Sequence, residues 1–518
     1  MKLPEKLTHQ NGELETSSNV SDNPLEKISV ETFGGRVHVE WEPQSPVSQL
    51  GQLAFFIEFL KLGNLFDSWV SDCPLKYFSP NAPSKRDILG TLLLSVLAGN
   101  TRYTHITALR CDGVNPNLLG MKKIASEDSM RRAFIRVDEQ EGIAWQQAHL
   151  QKCTAPLLSV PWIMDIDTTV KPLYGHQEGA VFGYNPTKPG RPSHTLHTYL
   201  IANLRLILEA EVQAGNHMAA SFSAPDLWAL LDRIPRKDWP LFIRGDCAFG
   251  TNAIMSCAEE KKLSYLFKLK LTANVKRLIG KLMVLHEWSS AGKGWEGISS
   301  EIQLSGWKVK RRVIVLRKEV KKEALSVLKN GLPGQTTIAF ADSEKNVRVY
   351  EHAVLVTSLD DELLTIAQHY RDRADSENVF DELKNQWGWG GFTTKDIKRC
   401  RLMARAVALI YNWWNLFVRL AEPEKHLEAI TSRPLLLHAV AKQTIHGGQS
   451  FIHISSTHGK QNRLRQLVQR ITDFFKLLKT CAEQLTPEAC WHRILSKAFE
   501  KYLPKWGLST TKFIVDTG

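Results

Sequence analysis

Three acidic side chains carry the most chemistry in this 518-residue chain: Asp167, Asp246 and Glu377. Asp167 closes the apolar run Trp162-Ile-Met-Asp-Ile-Asp167, and Asp246 closes Pro240-Leu-Phe-Ile-Arg-Gly-Asp246. Both runs read as strands. Glu377 lies in Tyr370-Arg-Asp-Arg-Ala-Asp-Ser-Glu377, with Lys384 seven residues on, in a stretch that reads as helix. Carboxylates at strand ends and on a nearby helix can converge on one point. Oxygen ligands gathered there suit Mg²⁺ or Mn²⁺. Two such ions about 4 Å apart clamp the attacking and leaving oxygens of a phosphodiester. The chemistry this pattern supports is metal-assisted phosphoryl transfer on a nucleic acid strand.

Each acid has a plainer reading. Side chains alternate along a strand, so Asp165 and Asp167 share a face, and either fits as the first ligand. A single Asp at a strand end also caps turns or pairs with lysine. Gly245 before Asp246 permits close backbone approach. On one continuous helix, at 100° per residue, Tyr370, Arg373, Glu377 and Lys384 fall within an arc of about 60°. A face with a metal-binding Glu beside cations suits DNA phosphates; an exposed helix with internal ion pairs is the alternative. Other motifs are weaker. Gly388-Trp-Gly-Gly391 lacks the preceding strand and following Lys-Ser/Thr of a phosphate-binding loop. The histidines show no H-E-x-x-H spacing, and the eight cysteines form no C-x-x-C pair. Trp387, Trp389, Trp413 and Trp414 could stack on bases, but the last two sit in an apolar helix where core packing is favoured.

The elements that must position these residues follow from periodicity. Residues 1–45 form a polar arm in which Gly35–Trp41 alternates like a strand. Residues 46–155 read as a helical, DNA-binding region. Ser84 and Asp87 form a capping box there. Ser126 caps a helix carrying Arg131, Arg132 and Arg136, which either contact phosphates or make a solvated face. Residues 156–287 alternate three adjacent strands with later helix–strand pairs, giving an α/β mixed sheet. Residues 288–358 are β-rich and read as an insertion before the Glu377 helix, which belongs to 359–420. Residues 421–518 read as a basic helical C-terminal region. From Lys395 onward there are 20 Lys plus Arg against 9 Asp plus Glu. The net charge of +12 favours a polyanionic partner. The scattered cysteines suit a reducing cytosol. The longest apolar runs are too short to span a bilayer.

The Tyr-x₂-Arg-x₃-Glu-x₆-Lys spacing of Tyr370, Arg373, Glu377 and Lys384 resembles the signature of DDE-class bacterial insertion-sequence transposases. Asp167-Thr168 is similar to that family's first acidic motif, and Asp246 after Leu-Phe-Ile-Arg-Gly to its second. Tyr174–Gly179, Gly183-Tyr-Asn-Pro and Gly190-Arg-Pro look typical of one branch. The resemblance spans about residues 45–420. It implies a ribonuclease H-like catalytic domain in which Asp167, Asp246 and Glu377 hold two Mg²⁺ or Mn²⁺ ions. It also implies that Arg373 and Lys384 bind DNA near the cut, and that Tyr370 orients a phosphate or the carboxylate helix. The reaction implied is hydrolysis at element ends, leaving a 3′-hydroxyl that attacks target DNA. The partners implied are double-stranded DNA and a second copy in a homodimer, with a bacterial, nucleoid-associated location. A nuclease without strand transfer and an inactive DNA-binding derivative are the alternatives.

Neutralising Arg131, Arg132 and Arg136 together is expected to weaken binding to element ends. It should also flatten the salt dependence by roughly one unit of slope per lost phosphate contact. Footprinting with salt titration checks this; an unchanged slope makes the three a solvated face.

Overall fold

Polar–apolar alternation around a tight glycine turn makes the first hairpin. The structure, a computed structural model, describes residues 27–502 apart from 43–44, 78, 186–187, 217–218, 286, 321–337, 340–348, 457–458 and 483–484. The polar segment 1–23 and the Gly331–Gly334 turn lie outside the described residues. Residues 1–46 form one unit, whose described part is an exposed antiparallel hairpin of β1 (Ile28–Thr32) and β2 (Gly35–Val39). Gly35 takes φ +107°, which its lack of a Cβ allows.

Residues 47–518 form the second unit. It opens with β3 (Val47–Ser48) and the helices α1 (Leu53–Leu62), α2 (Phe66–Ser71) and α3 (Lys85–Leu97). Next come α4 (Ile106–Leu109), α5 (Asn115–Leu118), α6 (Glu127–Ile135) and α7 (Glu139–Thr154). Both expected caps are present. Ser84 and Asp87 exchange side chain–backbone bonds, and Ser126 Oγ accepts from Ser129 N–H at 3.2 Å. Orphan amides at both helix starts are thereby satisfied. Trp69 stacks on Trp145 with centroids 5.5 Å apart, and meets Trp413 edge-on at 5.6 Å.

The central sheet follows. Its strands are β4 (Ile163–Pro172), β5 (Ser193–Ile201), β6 (Leu206–Ala214), β7 (Phe242–Gly245) and β8 (Ser264–Lys268). Helices α8 (Ala219–Asp232), α9 (Asn252–Glu260) and α10 (Ala273–Met283) lie in the same stretch of chain. The spatial order β6-β5-β4-β7-β8, antiparallel on one side of β4 and parallel on the other, is the expected ribonuclease H-like arrangement. The chain then adds β9 (Ser289–Gly292), β10 (Trp295–Ile302), β11 (Arg311–Glu319), β12 (Ile338–Ala339) and β13 (Val349–Thr357). These strands build no sheet of their own. β13 pairs antiparallel with β8, and β11, β10 and β9 continue outward, giving ten strands in one sheet.

After the sheet come α11 (Leu363–Arg371), α12 (Ala374–Gln386), α13 (Ile397–Ala421) and α14 (Ala429–Leu436). The C-terminal region is not wholly helical, as the sequence reading had it. Between α14 and the helices α15 (Gln461–Ala482) and α16 (Pro487–Phe499), β14 (Ala441–His446) and β15 (Gln449–Ile454) form a hairpin. Gly447 and Gly448 both have positive φ, as a two-residue hairpin turn of this hand requires.

α13 is the axis of the unit, with nearly every residue buried. Asn412 on it completes the edge strand β6: its Oδ1 accepts from Ile207 N–H, and its Nδ2 donates to Ile207 C=O, both at 2.8 Å. A free sheet edge is thus covered by a helix that supplies the missing partners. Asn412→Leu is expected to leave two buried backbone groups unpaired and cost roughly 2–5 kcal/mol. Equilibrium urea unfolding checks this, and an unchanged midpoint contradicts it.

Candidate active site

Strand register brings the first two acids together. β4 and β7 run parallel with Ile166 opposite Gly245. Asp167 and Asp246 are the next residues on neighbouring chains, whose backbones lie about 4.8 Å apart. Asp167 does not end its strand, as the sequence reading had it. β4 runs on to Pro172, paired with β5 alone. Asp167 therefore stands where one of two neighbouring strands departs. Asp246 leaves β7 in a turn, its Oδ1 accepting from Ala248 N–H at 2.8 Å. A Cβ at Gly245 would sit 3.0 Å from the Phe249 ring, so glycine fits this position best.

Asp165 is placed differently from Asp167. It is 1% exposed, and both its oxygens are engaged by Arg244, Nε at 2.5 Å and Nη2 at 2.7 Å. Ser376 Oγ donates to it as well, and Arg244 also donates to His369 C=O. The Asp165–Arg244 pair thus fastens the segment around α11 and α12 to the sheet.

The helix reading needs correction. Tyr370 to Lys384 is not one continuous helix. α11 ends at Arg371, α12 begins at Ala374, and bonds of i to i+3 type span the joint: Arg373 N–H to Tyr370 C=O at 3.2 Å and Asp375 N–H to Asp372 C=O at 3.2 Å. At the joint the side chains are held from outside it: Asp375 pairs with Arg205 at 3.0 Å and Ser376 Oγ donates to Asp165. The joint turns Arg373 inward, leaving it only 6% exposed. Its Nη2 donates to Asp167 Oδ2 at 2.9 Å and its Nη1 to Glu377 Oε1 at 2.7 Å. One guanidinium bridges the first and third acids.

The electrostatics follow from this crowding. Burial raises the Asp167 carboxyl to about 6; Arg373 opposes the rise, while the charges of Asp246 and Glu377 add to it. Tyr370 is partly buried against an apolar cluster that includes Leu266, Leu355 and Ile366, and burial raises its hydroxyl well above the usual value, with Asp246 and Glu377 contributing. Among the described residues, no three acidic, His or Cys groups stand close enough to hold a metal with the side chains as placed. The Arg373 guanidinium lies between two of them instead. The donors are hard carboxylate oxygens that repel one another unless a cation is present, which is the chemistry of a divalent site.

The remaining candidates are dispersed. Lys384 is exposed on α12, two turns beyond Glu377. Arg131 makes loose ion pairs with Asp128 at 3.6 Å and Glu127 at 3.9 Å, and its guanidinium lies over the Tyr103 ring at 5.3 Å. Arg132 is 74% exposed with Asp128 at 3.9 Å, and Arg136 lies over the Tyr77 ring at 5.8 Å. Trp387 and Trp389 are buried, so neither offers a face to a base; Trp413 and Trp414 sit in the core as expected. Sequence reasoning passed over Arg244, Ser376 and Lys171. A lone charge inside an apolar strand signalled Arg244. Lys171 lies four residues beyond Asp167 on the same strand face.

The raised Asp167 value has a stability consequence. Its folded value lies above the 3.8 of an ordinary Asp, so its contribution is full below about pH 4 and is lost as pH rises through 6. At about 1.4 kcal/mol per unit, the penalty near neutral pH is on the order of 2–3 kcal/mol. Asp167→Asn in EDTA is expected to melt at higher temperature than the parent at pH 7.5, with the gap closing at pH 4. Thermal melts at the two pH values check it; a less stable Asn variant at pH 7.5 contradicts it.

The description of the transposase DDE domain group 1 family matches residues 81–475. No curated protein matches the chain. Among solved structures the chain is similar to piggyBac transposase, seen by cryo-EM in a synaptic complex with hairpin DNA, at 9% identity and TM-score 0.38, over 86% of each chain. At that score the likeness carries no argument. The family match spans well over half the chain and includes Asp167, Asp246 and Glu377, and on that ground the chain belongs to the DDE-domain transposases of group 1.

Proposed function

We propose that Asp167, Asp246 and Glu377 are the catalytic carboxylates of this transposase and that together they hold two Mg²⁺ or Mn²⁺ ions. The observation that carries the assignment is the cation already shared between Asp167 and Glu377, the Arg373 guanidinium, in a place where Asp167 resists ionisation. Asp165 is a poorer candidate because Arg244 and Ser376 occupy its oxygens. The family implies a divalent metal, which when bound would polarise the scissile phosphate and lower the cost of generating the attacking oxygen.

The chain's own groups do the rest. Arg373 holds Asp167 and Glu377 facing one another and partly offsets the burial that favours protonation of Asp167. Tyr370 packs beneath the joint and sets the direction in which α12 presents Glu377. Lys384 and the α6 arginines Arg131, Arg132 and Arg136 take DNA phosphates outside the acid cluster. Hydrolysis at an element end leaves a 3′-hydroxyl, which then attacks target DNA at the same acids. A homodimer would present two such sites to two ends, and a nucleoid-associated location follows from the substrate. No helix among the described residues is long and apolar enough to cross a membrane.

Replacing Asp167, Asp246 or Glu377 singly by Ala is expected to abolish cleavage of a supercoiled plasmid carrying the element ends. DNA affinity should be largely kept, since phosphate contacts dominate it. Cleavage should need Mg²⁺ or Mn²⁺, with Ca²⁺ allowing assembly but little cutting. Asp165→Ala should instead lose about 3–5 kcal/mol of stability, because it strands the buried Arg244. Gel-based cleavage, anisotropy and urea unfolding read the three effects. Normal cutting by all three single variants, or full activity in excess EDTA, removes the assignment.

A further inference from the structure

A second site lies beside the acid cluster. A cleft of about 570 Å³ opens between the α3–α4 segment at Thr101–Thr104, the end of β4, and the glycine-rich loop after α12. That volume is in the range of small-ligand sites. Among the described residues four cations line it, Arg102, Arg131, Lys171 and Lys384, and no acid does.

Lys171 is the telling member. Burial lowers its ammonium to about 8, so it is still mostly charged at neutral pH. Its hydrogen-bond partner among the described residues is Thr393 Oγ1, a neutral hydroxyl, and no carboxylate there reaches it. A partly buried charge without a counter-ion is costly. A buried ammonium whose partner is a neutral hydroxyl calls for an anionic oxygen.

The loop wall is built to stay in place. Phe392 N–H donates to Thr101 C=O at 2.8 Å, and Gly391 N–H to Gly388 C=O at 2.6 Å. A Cβ at Gly391 would lie 2.3 Å from Thr101 O, so the two segments close on each other only through glycine. The run Gly388–Gly391 is no phosphate-binding loop by sequence, yet it frames this cleft.

Position gives the ligand. Lys171 is four residues from Asp167 on the same face of β4, roughly 13 Å along the strand. Lys384 is seven residues from Glu377 on α12, roughly 10 Å along the helix. Both cations are displaced from the acids by a similar distance, equal to about three or four base steps of one DNA strand.

We propose that this cleft grips a backbone phosphate of the cleaved DNA strand a few nucleotides from the cut, with Lys171 and Lys384 on opposite sides of it. Arg102 and Arg131 line the same cleft and add positive charge around it. The proposal rests on the transposase reading and adds a binding residue, Lys171, that lies outside the Tyr-Arg-Glu-Lys signature.

The test uses full-length protein, a mixed-sequence 40-base-pair duplex and Ca²⁺, with anisotropy measured across a salt series. Lys171→Gln and Lys384→Gln should each lower the slope of log affinity against log salt, and the double variant should lower it by about 0.9, the share of the one phosphate both hold. Lys171→Arg should keep the parental slope while Lys171→Gln lowers it, whereas a merely structural lysine leaves both slopes parental in folded protein. Lys384 is exposed, so its variant reports even if Lys171→Gln folds poorly; melting temperature identifies that case. Parental slopes in well-folded single and double variants overturn the cleft while leaving the transposase reading intact. Absence of DNA binding, and of Mn²⁺-dependent plasmid cleavage, in the parent overturns that reading and the cleft with it.

Discussion

Like charges crowded into a partly buried space must be neutralised, and this constraint organises the molecule. Four carboxylates, Asp165, Asp167, Asp246 and Glu377, gather at the point where β4 and β7 separate. Asp165 is neutralised permanently by Arg244 inside the sheet. Asp167 and Glu377 share Arg373, which reaches them from the joint between two helices. Asp246 has a backbone amide and no cation at ion-pair distance among the described residues. Asp165 is thus fully paired within the fold, while the charge of the other three is incompletely balanced. An ion pair as buried as Asp165–Arg244 adds little net stability, since desolvation offsets attraction. What it fixes is position: Arg244 also binds His369 C=O, so the helix segment and the sheet are held in one register.

That register matters because the acids come from three separate stretches of chain. Two are set by strand pairing, which a one-residue slip would turn to opposite faces. The third depends on how the α11–α12 segment lies against the sheet. The long buried helix α13 supports the sheet from one edge, where Asn412 completes β6 and Arg405 pairs with Glu209 at 2.8 Å. The opposite side of the sheet is lengthened by β13 and its neighbours rather than left open at β8. The acids therefore stand well inside the sheet, away from both fraying edges.

Local sequence made much of this legible. The capping box at Ser84 and Asp87 and the cap at Ser126 could be read because their chemistry lies within four residues. The strand runs ending near Asp167 and Asp246 showed because buried strands are apolar and bounded by turn signals. The different surroundings of Asp165 and Asp167 were beyond it, since Arg244, which pairs with Asp165, lies 79 residues away and meets it only through strand pairing. The helix break at Asp372–Arg373 was hidden because periodicity continues almost unbroken through a short tightened joint. The β14–β15 hairpin had a readable signal in Gly447-Gly448 between alternating runs, masked by the basic helical character around it. Whether strands 289–357 stand apart or join the main sheet depends on edge pairing that composition does not encode.

The same two elements carry opposite charge at different distances along them. β4 bears Asp167 and then Lys171; α12 bears Glu377 and then Lys384. A site for divalent cations needs net negative charge, whereas a grip on DNA needs net positive charge. If the two sets touched, Lys171 would pair with Asp167 in an internal salt bridge. Separation by roughly 10–13 Å along each element keeps the two sets beyond ion-pair reach of one another. Parallel displacement along a strand and a helix keeps the spacing rigid, which a loop could not do. Arg373 is the exception that fits the rule. It stands among the acids themselves, where a cation is required whether or not a metal is bound, and the helix joint exists to place it there.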